Sequence, residues 1–179
     1  MARILILYGS TEGHTTKIVH HMAALARDWG HGVETIDGKT IPPKVDLDAF
    51  DAVIIGAPVH RGTHPRHIKQ FVRAHRAQLE RVPSAFFSVS LSSSSSREKD
   101  QRGAEQCVAT FVTETGWTPE KVGKFAGALR YTQYGPIKRW LMKRIVQGAG
   151  GDSDTSRDYD YTDWAAVTRF TEAFLASLN

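Results

Sequence analysis

The sequence is poor in cysteine and has no long apolar run. A single cysteine, Cys107, excludes an intramolecular disulfide and a zinc site built from several cysteines, and it suits a reducing compartment such as the cytoplasm. The first apolar run, residues 4–8, is far shorter than the ~18 residues that a membrane-spanning helix needs. We therefore expect a cytoplasmic protein that is neither exported nor transmembrane.

Two nucleotide-binding motifs are also missing. The chain has neither a Walker A lysine nor the G-x-G-x-x-G pattern, which disfavours nucleotide hydrolysis and dinucleotide binding. His60, Arg61 and His64 have no carboxylate or cysteine nearby in the sequence, so we predict no metal site and expect three solvated side chains at a loop rim. No feature predicts a nucleic-acid partner.

The composition fits one globular domain. The chain has 179 residues, of which 41% are hydrophobic and 23% are charged. This length predicts a single domain, residues 1–179, with a substantial core. The 23 lysine and arginine residues exceed the 19 acidic ones and give a net charge of +4. That charge favours an anionic partner, but it does not distinguish a phosphate, a carboxylate substrate and a membrane surface.

Short apolar runs alternate with amphipathic segments along the chain, which predicts an α/β fold with a five-stranded parallel sheet and helices on both faces. The predicted strands are residues 3–8, 33–36, 52–56, 86–91 and 122–129. The predicted helices are residues 15–29, 68–79, 101–115 and 162–178, the last with Thr162 as its N-cap. The serine tract, residues 92–96, is expected to be a loop.

An insertion of about thirty residues, 130–161, precedes the last helix. Residues 136–147 have the pattern of a basic amphipathic helix, and residues 148–161 are expected to be a loop. Tyr131, Tyr134 and Trp140 are expected to anchor the insertion to the core, although stacking on a ligand is the alternative. We also expect Trp117, Phe125 and Trp164 in the core and Cys107 as a small buried hydrophobe.

The turn between the first strand and the first helix is rich in hydroxyl groups and glycine. Unpaired N–H groups at a helix N-terminus, together with these hydroxyls, can hold a phosphate without lysine or arginine. The alternative is an ordinary capped turn. The loops after strands three and four, residues 57–64 and 88–92, lie at the same sheet edge, where ligands of open α/β sheets bind. A planar aromatic ligand fits between them.

Together, the turn at residues 9–15 and these two loops resemble a flavodoxin-like FMN-binding domain over nearly the whole chain. His14 stands where flavodoxins commonly carry asparagine. Four further stretches, residues 83–89, 127–131, 150–155 and 161–164, resemble the menaquinone-dependent protoporphyrinogen oxidase family of bacterial haem synthesis. The fold that this resemblance implies is a flavodoxin-like three-layer sandwich with an insertion before the last helix.

The resemblance also implies a cofactor and its binding residues. FMN is the cofactor, and its phosphate is held by Ser10, Thr11, Glu12, Gly13, His14 and Thr15. The isoalloxazine ring is framed by Pro58, Val59, His60, Arg61 and Gly62 on one side and by Ser88, Val89, Ser90 and Leu91 on the other. The cations expected to position the substrate propionates are Arg61, Arg97, Arg130 and Lys138. No catalytic residue is predicted.

The function implied is that of an FMN-dependent enzyme that oxidises protoporphyrinogen IX with a quinone as electron acceptor. Two alternatives remain, a flavodoxin-type electron carrier and an FMN-dependent NAD(P)H-quinone reductase. Flavodoxin-type carriers are typically strongly acidic so as to dock on basic partners, and the net charge of +4 therefore favours an enzyme. The oligomeric state, including a homo-oligomer, is left open.

We expect the insertion to dock on the cytoplasmic membrane, where a lipophilic quinone resides. Its four cations, Lys138, Arg139, Lys143 and Arg144, would face an anionic leaflet. Its apolar residues Trp140, Leu141 and Ile145 would enter the interface. In the alternative, the same apolar residues pack on the domain.

Overall fold

Five parallel strands form the central sheet of the computed structural model, which describes residues 1–95, 97–148 and 150–178. The strands are β1 (Arg3–Tyr8), β2 (Gly32–Asp37), β3 (Ala52–Pro58), β4 (Ser84–Ser90) and β5 (Lys121–Ala126). Their order across the sheet is β2-β1-β3-β4-β5, with every pair parallel. The predicted fold class is confirmed.

Helices cover both faces of the sheet. They are α1 (His14–Asp28), α2 (Arg66–Ala74), α3 (Arg76–Leu79), α4 (Glu98–Thr115), α5 (Pro136–Gly148) and α6 (Trp164–Ala176). Helices α1 and α6 pack on one face, and α2, α3 and α4 pack on the other. Short 3-10 helices occupy Leu47–Ala49, Leu91–Ser94 and Tyr131–Gln133.

Two apolar cores follow from the alternation of side chains along each strand. In β1, Ile4 and Ile6 face α1 and α6, whereas Leu5 and Leu7 face α2 and α4. Every residue of β3 and β4 is buried, as expected for central strands of a parallel sheet. Trp117 and Phe125 lie in the cores as predicted, and Trp164 is half-buried at the edge of the first core.

The predicted last strand, residues 122–129, is divided in the structure. Strand β5 ends at Ala126, and the N–H of Gly127 donates to the carbonyl of Ser90 at 3.1 Å. The chain then leaves the sheet, and β6 (Ala128–Leu129) pairs antiparallel with β7 (Tyr159–Asp160). The loop predicted at residues 148–161 therefore contains a short strand that closes the insertion.

Several other element boundaries differ from the prediction. The helix predicted at residues 68–79 is broken at His75, where both the ring Nδ1 and the backbone N–H lie within hydrogen-bond distance of the Phe71 carbonyl. Helix α4 begins at Glu98 rather than residue 101, and the serine tract carries a 3-10 helix; Ser96 lies outside the described residues. The cap of α6 is Asp163, whose carboxylate accepts the N–H of Ala166, and not Thr162.

Candidate functional site

The carboxyl ends of β1, β3 and β4 lie side by side and bring together the three segments predicted to bind the ligand. The N–H of Gly9 donates to the carbonyl of Gly56 at 2.9 Å, which fixes the turn after β1 to β3. The N–H of Val59 donates to the carbonyl of Val89 at 2.8 Å, which fixes the loop after β3 to β4. The segments 10–15, 58–62 and 88–91 thus share one sheet edge, the usual ligand position in open α/β sheets.

The turn after β1 leaves the N-terminus of α1 open to an anion. Gly13 precedes the helix with φ 77°, a conformation that glycine adopts without strain, and its N–H donates to Ser10 Oγ at 3.1 Å. Among the described residues, no side chain accepts the N–H groups of the first turn, and that turn has no acidic residue. These unpaired donors at a fifteen-residue helix fit a phosphate group.

His14, the first residue of α1, turns its buried ring towards the insertion. Its Nε2 lies 2.6 Å from Thr162 Oγ1, and the Thr162 hydroxyl donates to the carbonyl of Ala126 at 3.0 Å. Because that hydroxyl has only one proton, Nε2 of His14 must be the donor. Burial lowers the pKa of His14, so at neutral pH the ring carries no second proton. Its Nδ1 has no partner in the described part of the chain, and the backbone N–H remains the donor that His14 can offer a phosphate.

The loop after β3 ends in a tight two-residue hairpin at residues 60–63. The N–H of His60 donates to the carbonyl of Thr63 at 2.9 Å, and the reverse bond measures 3.1 Å. Arg61 and Gly62 have φ values of 51° and 78°, as a type I′ turn requires. The Cys107 thiol donates to the carbonyl of Gly62 at 3.3 Å. Cys107 is only half-buried, so the expectation of a small buried hydrophobe is wrong, although burial does raise its pKa.

His64 lies beneath the hairpin and is buried, which corrects the expectation that it is solvated. Its Nε2 is 2.9 Å from Ser88 Oγ, and its ring meets those of Phe86 and Phe111 edge-on. Burial, and then the charge of Lys69, lower the pKa of His64 to about 4, so the ring is neutral at physiological pH. His60 and Arg61 are exposed as predicted, and the described residues contain no group of side chains with the geometry of a metal site.

The insertion contacts the turn after β1, residues 9–15, through Glu12. We call this turn the phosphate turn. The Tyr134 hydroxyl donates to the Glu12 carboxylate at 2.9 Å, and the Lys138 ammonium forms an ion pair with the same carboxylate. The Lys138 Nζ also lies 4.4 Å from the centre of the Tyr134 ring. Desolvation lowers the pKa of His60, and the charges of Glu12 and Lys138 act on that pKa in opposite directions. The hairpin, the phosphate turn and α5 therefore lie close to one another.

The insertion also contacts the loop after β4. Leu91 packs against the apolar cluster of the insertion, which includes Tyr131 and Tyr134. A Cβ on Gly150 would lie 3.4 Å from Arg97 Nη2, so the Arg97 guanidinium packs on the far end of the insertion. Tyr131 and Tyr134 are buried and anchor the insertion as predicted, whereas Trp140 is 59% exposed and does not.

Two of the four cations predicted to position substrate are engaged within the protein. Arg130 Nη1 lies 3.4 Å from an Asp158 carboxylate oxygen, and its side chain is only 15% exposed. Lys138 is paired with Glu12. Asp158, Tyr134 and Thr162 were not predicted as site residues, and no local sequence signal marks these contacts because their partners are far away in the chain.

One face of α5 is apolar and exposed. Ile137, Trp140, Leu141 and Ile145 are 83%, 59%, 48% and 55% exposed, and their spacing places them on one side of the helix. The alternative in which Trp140, Leu141 and Ile145 pack on the domain is therefore wrong, since Val146 alone among the described residues of α5 is buried. Within the described ranges, no helix is both long and apolar enough to cross a bilayer.

A groove beside β5 lies outside the predicted site. It has a volume of about 440 Å³ and is lined by Ser93, Lys124, Phe125, Ala126, Tyr161, Asp163 and Ala166. Lys124 pairs with Glu105, and Asp163 pairs with Arg169. The charges that line the groove are thus already neutralised by neighbours.

The geometry at the sheet edge agrees with a comparison of sequences. Residues 5–156 match the sequence profile of the family described as Flavodoxin domain. The chain belongs to the flavodoxin domain family. This membership confirms the resemblance recognised in the turn at residues 9–15 and the two loops. Oxidised flavodoxin 1 from Bacillus cereus is a flavodoxin of similar fold, with a TM-score of 0.57, 16% identity and coverage of 99% of each chain.

Within the flavodoxin family, two relatives align with almost the whole chain. A protein from Leishmania major named protoporphyrinogen IX dehydrogenase [quinone] is 36% identical over 177 residues, which cover 97% of this chain and 75% of the relative. The protein of the same name from Escherichia coli K12 is 30% identical over 168 residues, which cover 94% of this chain and 92% of the relative. The alignment with the Leishmania major protein includes the insertion, because it covers 97% of the 179 residues of this chain.

Proposed function

We propose that this flavodoxin-family protein is an FMN-dependent enzyme that oxidises protoporphyrinogen IX to protoporphyrin IX and reduces a quinone to its quinol. The observation that carries the proposal is the near full-length similarity to two proteins named protoporphyrinogen IX dehydrogenase [quinone]. The site supports it, because the phosphate turn lies at the same sheet edge as the two ring loops, which are residues 58–62 and 88–91.

The residues at this edge fit FMN. The uncapped N-terminus of α1 and the hydroxyls of Ser10, Thr11 and Thr15 would hold the phosphate. The loops at residues 58–62 and 88–91 would orient the ring and exclude water from its faces. Bound FMN supplies the redox chemistry, which amino-acid side chains do not provide. Oxidation of protoporphyrinogen IX to protoporphyrin IX removes six hydrogen atoms and each quinone accepts two of them, so three quinones become quinols for each porphyrin formed.

An anaerobic assay of the FMN-loaded protein tests this function. With protoporphyrinogen IX and menaquinone, we expect porphyrin fluorescence to rise only when protein, FMN and quinone are all present. Free FMN with quinone is the control for uncatalysed oxidation. Porphyrin formation no faster than in that control would contradict the proposal. Turnover of NAD(P)H with menaquinone would then favour a quinone reductase, and reduction only through a protein donor would favour an electron carrier.

We also propose that α5 docks this enzyme on an anionic membrane surface. The exposed face of Ile137, Trp140, Leu141 and Ile145 would enter the lipid interface. Arg144 is exposed, and its guanidinium carbon lies 5.2 Å from the centre of the Trp140 ring, so charge and apolar surface are adjacent. Each cation near an anionic leaflet contributes ~1 kcal/mol to binding.

Liposome co-sedimentation tests the membrane proposal. Lys143 and Arg144 are chosen for charge reversal. Lys138 is left unchanged because it forms an ion pair with Glu12, and Arg139 because it donates to backbone carbonyls of the insertion. A Lys143→Glu/Arg144→Glu variant should lose binding to anionic vesicles at low salt but keep its FMN content. A variant with the same charge change elsewhere, Lys39→Glu/Lys44→Glu, should still bind. Equal sedimentation of both variants, or none by the wild type, would refute docking through α5.

A further inference from the structure

The hairpin at residues 60–63 places an arginine where the backbone disfavours one. Arg61 has φ 51°, and it is the one non-glycine residue with positive φ in the described part of the chain. The first central position of a type I′ turn favours asparagine, aspartate or glycine, which tolerate positive φ. A strained residue that persists at a ligand site points to a role for its side chain.

Arg61 is also one of the two predicted cations that have no ion pair with a described residue. Arg130 pairs with Asp158, Lys138 pairs with Glu12, and Arg97 packs on the insertion. Arg61 is exposed, and it has no ion pair or side-chain hydrogen bond with any residue that the structure describes. Arg97 is exposed as well and has no ion pair with a described residue, but it lies against the far end of the insertion, whereas Arg61 stands on the hairpin.

The hairpin holds the backbone of Arg61 in a defined place. Its two reciprocal backbone bonds close the turn, and the Cys107 thiol on α4 donates to the Gly62 carbonyl at 3.3 Å. The Thr63 hydroxyl accepts a hydrogen bond from Lys69 on α2 at 3.1 Å. The tip therefore rests on α2 and α4, and the segment that leads to it is hydrogen-bonded to Val89 in the loop that would frame the other side of the flavin ring.

We infer that Arg61 determines substrate specificity by binding a carboxylate of the substrate at the rim of the flavin site. The planar guanidinium matches a carboxylate with two parallel hydrogen bonds, which lysine does not reproduce. The porphyrinogen named in the proposed function carries propionate groups of this kind, so the inference rests on that function. Arg61 acts in binding and orientation, and the chemical step does not pass through it.

Comparing a free acid with its ester tests this role directly. Arg61→Asn removes the guanidinium but keeps a residue suited to the turn. Arg61→Lys keeps the positive charge but lacks the two parallel donors of the guanidinium. With protoporphyrinogen IX, Arg61→Asn should raise KM on the order of 10- to 100-fold with little change in kcat. With the dimethyl ester, wild type and Arg61→Asn should have similar KM values. For protoporphyrinogen IX itself, the KM of Arg61→Lys should lie between those of wild type and Arg61→Asn.

The control is Arg81→Asn, which removes an arginine at the opposite end of the sheet, where Arg81 pairs with Asp48. This variant should keep the wild-type KM for the acid and for the ester. Equal KM values for wild type and Arg61→Asn on the acid, or an equal rise on both substrates, would overturn the inference.

A binding measurement separates this inference from the proposed function. Binding of the product protoporphyrin IX, and of its dimethyl ester, to the FMN-loaded protein can be followed by quenching of tryptophan fluorescence. Arg61→Asn should weaken binding of the acid only. If the wild type binds the acid through Arg61 but does not oxidise protoporphyrinogen IX, the proposed function fails and the inference stands. If it oxidises the substrate and Arg61→Asn behaves as wild type, the inference fails and the function stands.

Discussion

Replacing His64 with glutamine should reduce the dependence of stability on pH. In the folded protein, burial between Phe86 and Phe111 is the main cause that lowers the pKa of His64, and Lys69 adds to it. Glu114 acts in the opposite direction but does not cancel the effect of burial. The result is a pKa of about 4 in the folded state against 6.5 in the unfolded chain.

The sign of the effect follows from proton binding. Between pH 6.5 and 4, the unfolded chain binds a proton at His64 that the folded protein does not bind. The free energy of unfolding therefore falls as the pH falls through this window. The gap between the two pKa values corresponds to about 3 kcal/mol, because one pKa unit is equivalent to about 1.4 kcal/mol. This stability is fully present above pH 6.5.

Urea unfolding of wild type and variants at a series of pH values across this window measures the effect. His64→Gln should lose about 3 kcal/mol less than wild type on acidification, since contributions of other groups cancel in the comparison. Ser88→Ala removes the hydrogen bond to His64 but leaves the ring buried, so it should keep most of the wild-type dependence. Identical pH dependence in wild type and His64→Gln would refute the argument that His64 is held neutral by burial.

Four further substitutions, in three experiments, test packing, a hydrogen bond and a helix cap by urea unfolding. Gly56→Ala should destabilise the protein by roughly 1–3 kcal/mol, because the new Cβ would lie 2.1 Å from Phe87 Cζ; unchanged stability would mean that this ring moves freely. Glu12→Ala and Tyr134→Phe should show a coupling free energy of ~1–2 kcal/mol in a double-mutant cycle of unfolding. Additive effects would contradict the hydrogen bond between Tyr134 and Glu12. Asp163→Ala should cost ~1 kcal/mol through loss of the α6 cap, and a neutral result would contradict that role.

The sheet could be predicted from the sequence because its signals are local. Each strand is a short apolar run, and β1 at residues 3–8 has the same bounds in the prediction and in the structure. The parallel arrangement and the position of the three loops then follow from topology rules that hold for any such sheet. The resemblance to flavodoxins rests on the same residues, those of the turn and of the two loops.

The contacts of the insertion could not be predicted in the same way. Glu12 and Tyr134 are 122 residues apart, and neither has a neighbour in sequence that indicates the hydrogen bond between them. The strand pair of β6 and β7 is only two residues long, too short for a periodic signal. The burial of His64 likewise depends on Phe111, which comes from a separate helix. From the local sequence, the burial of His64 could not be distinguished from the exposure of the nearby His60.

The position of the insertion joins the proposed membrane surface to the proposed chemistry. A minimal five-stranded flavodoxin unit does not require residues 130–161, yet these residues contact the phosphate turn at Glu12 and pack on Leu91 after β4. The same segment carries the exposed apolar face of α5. Because Lys138 on α5 and His60 on the hairpin both lie near Glu12, a quinone arriving from a lipid interface at α5 would have only a short distance to the ring loops. Arg61 stands on that same hairpin, so acidic and lipophilic substrates would approach the ring loops from neighbouring elements, the hairpin and α5.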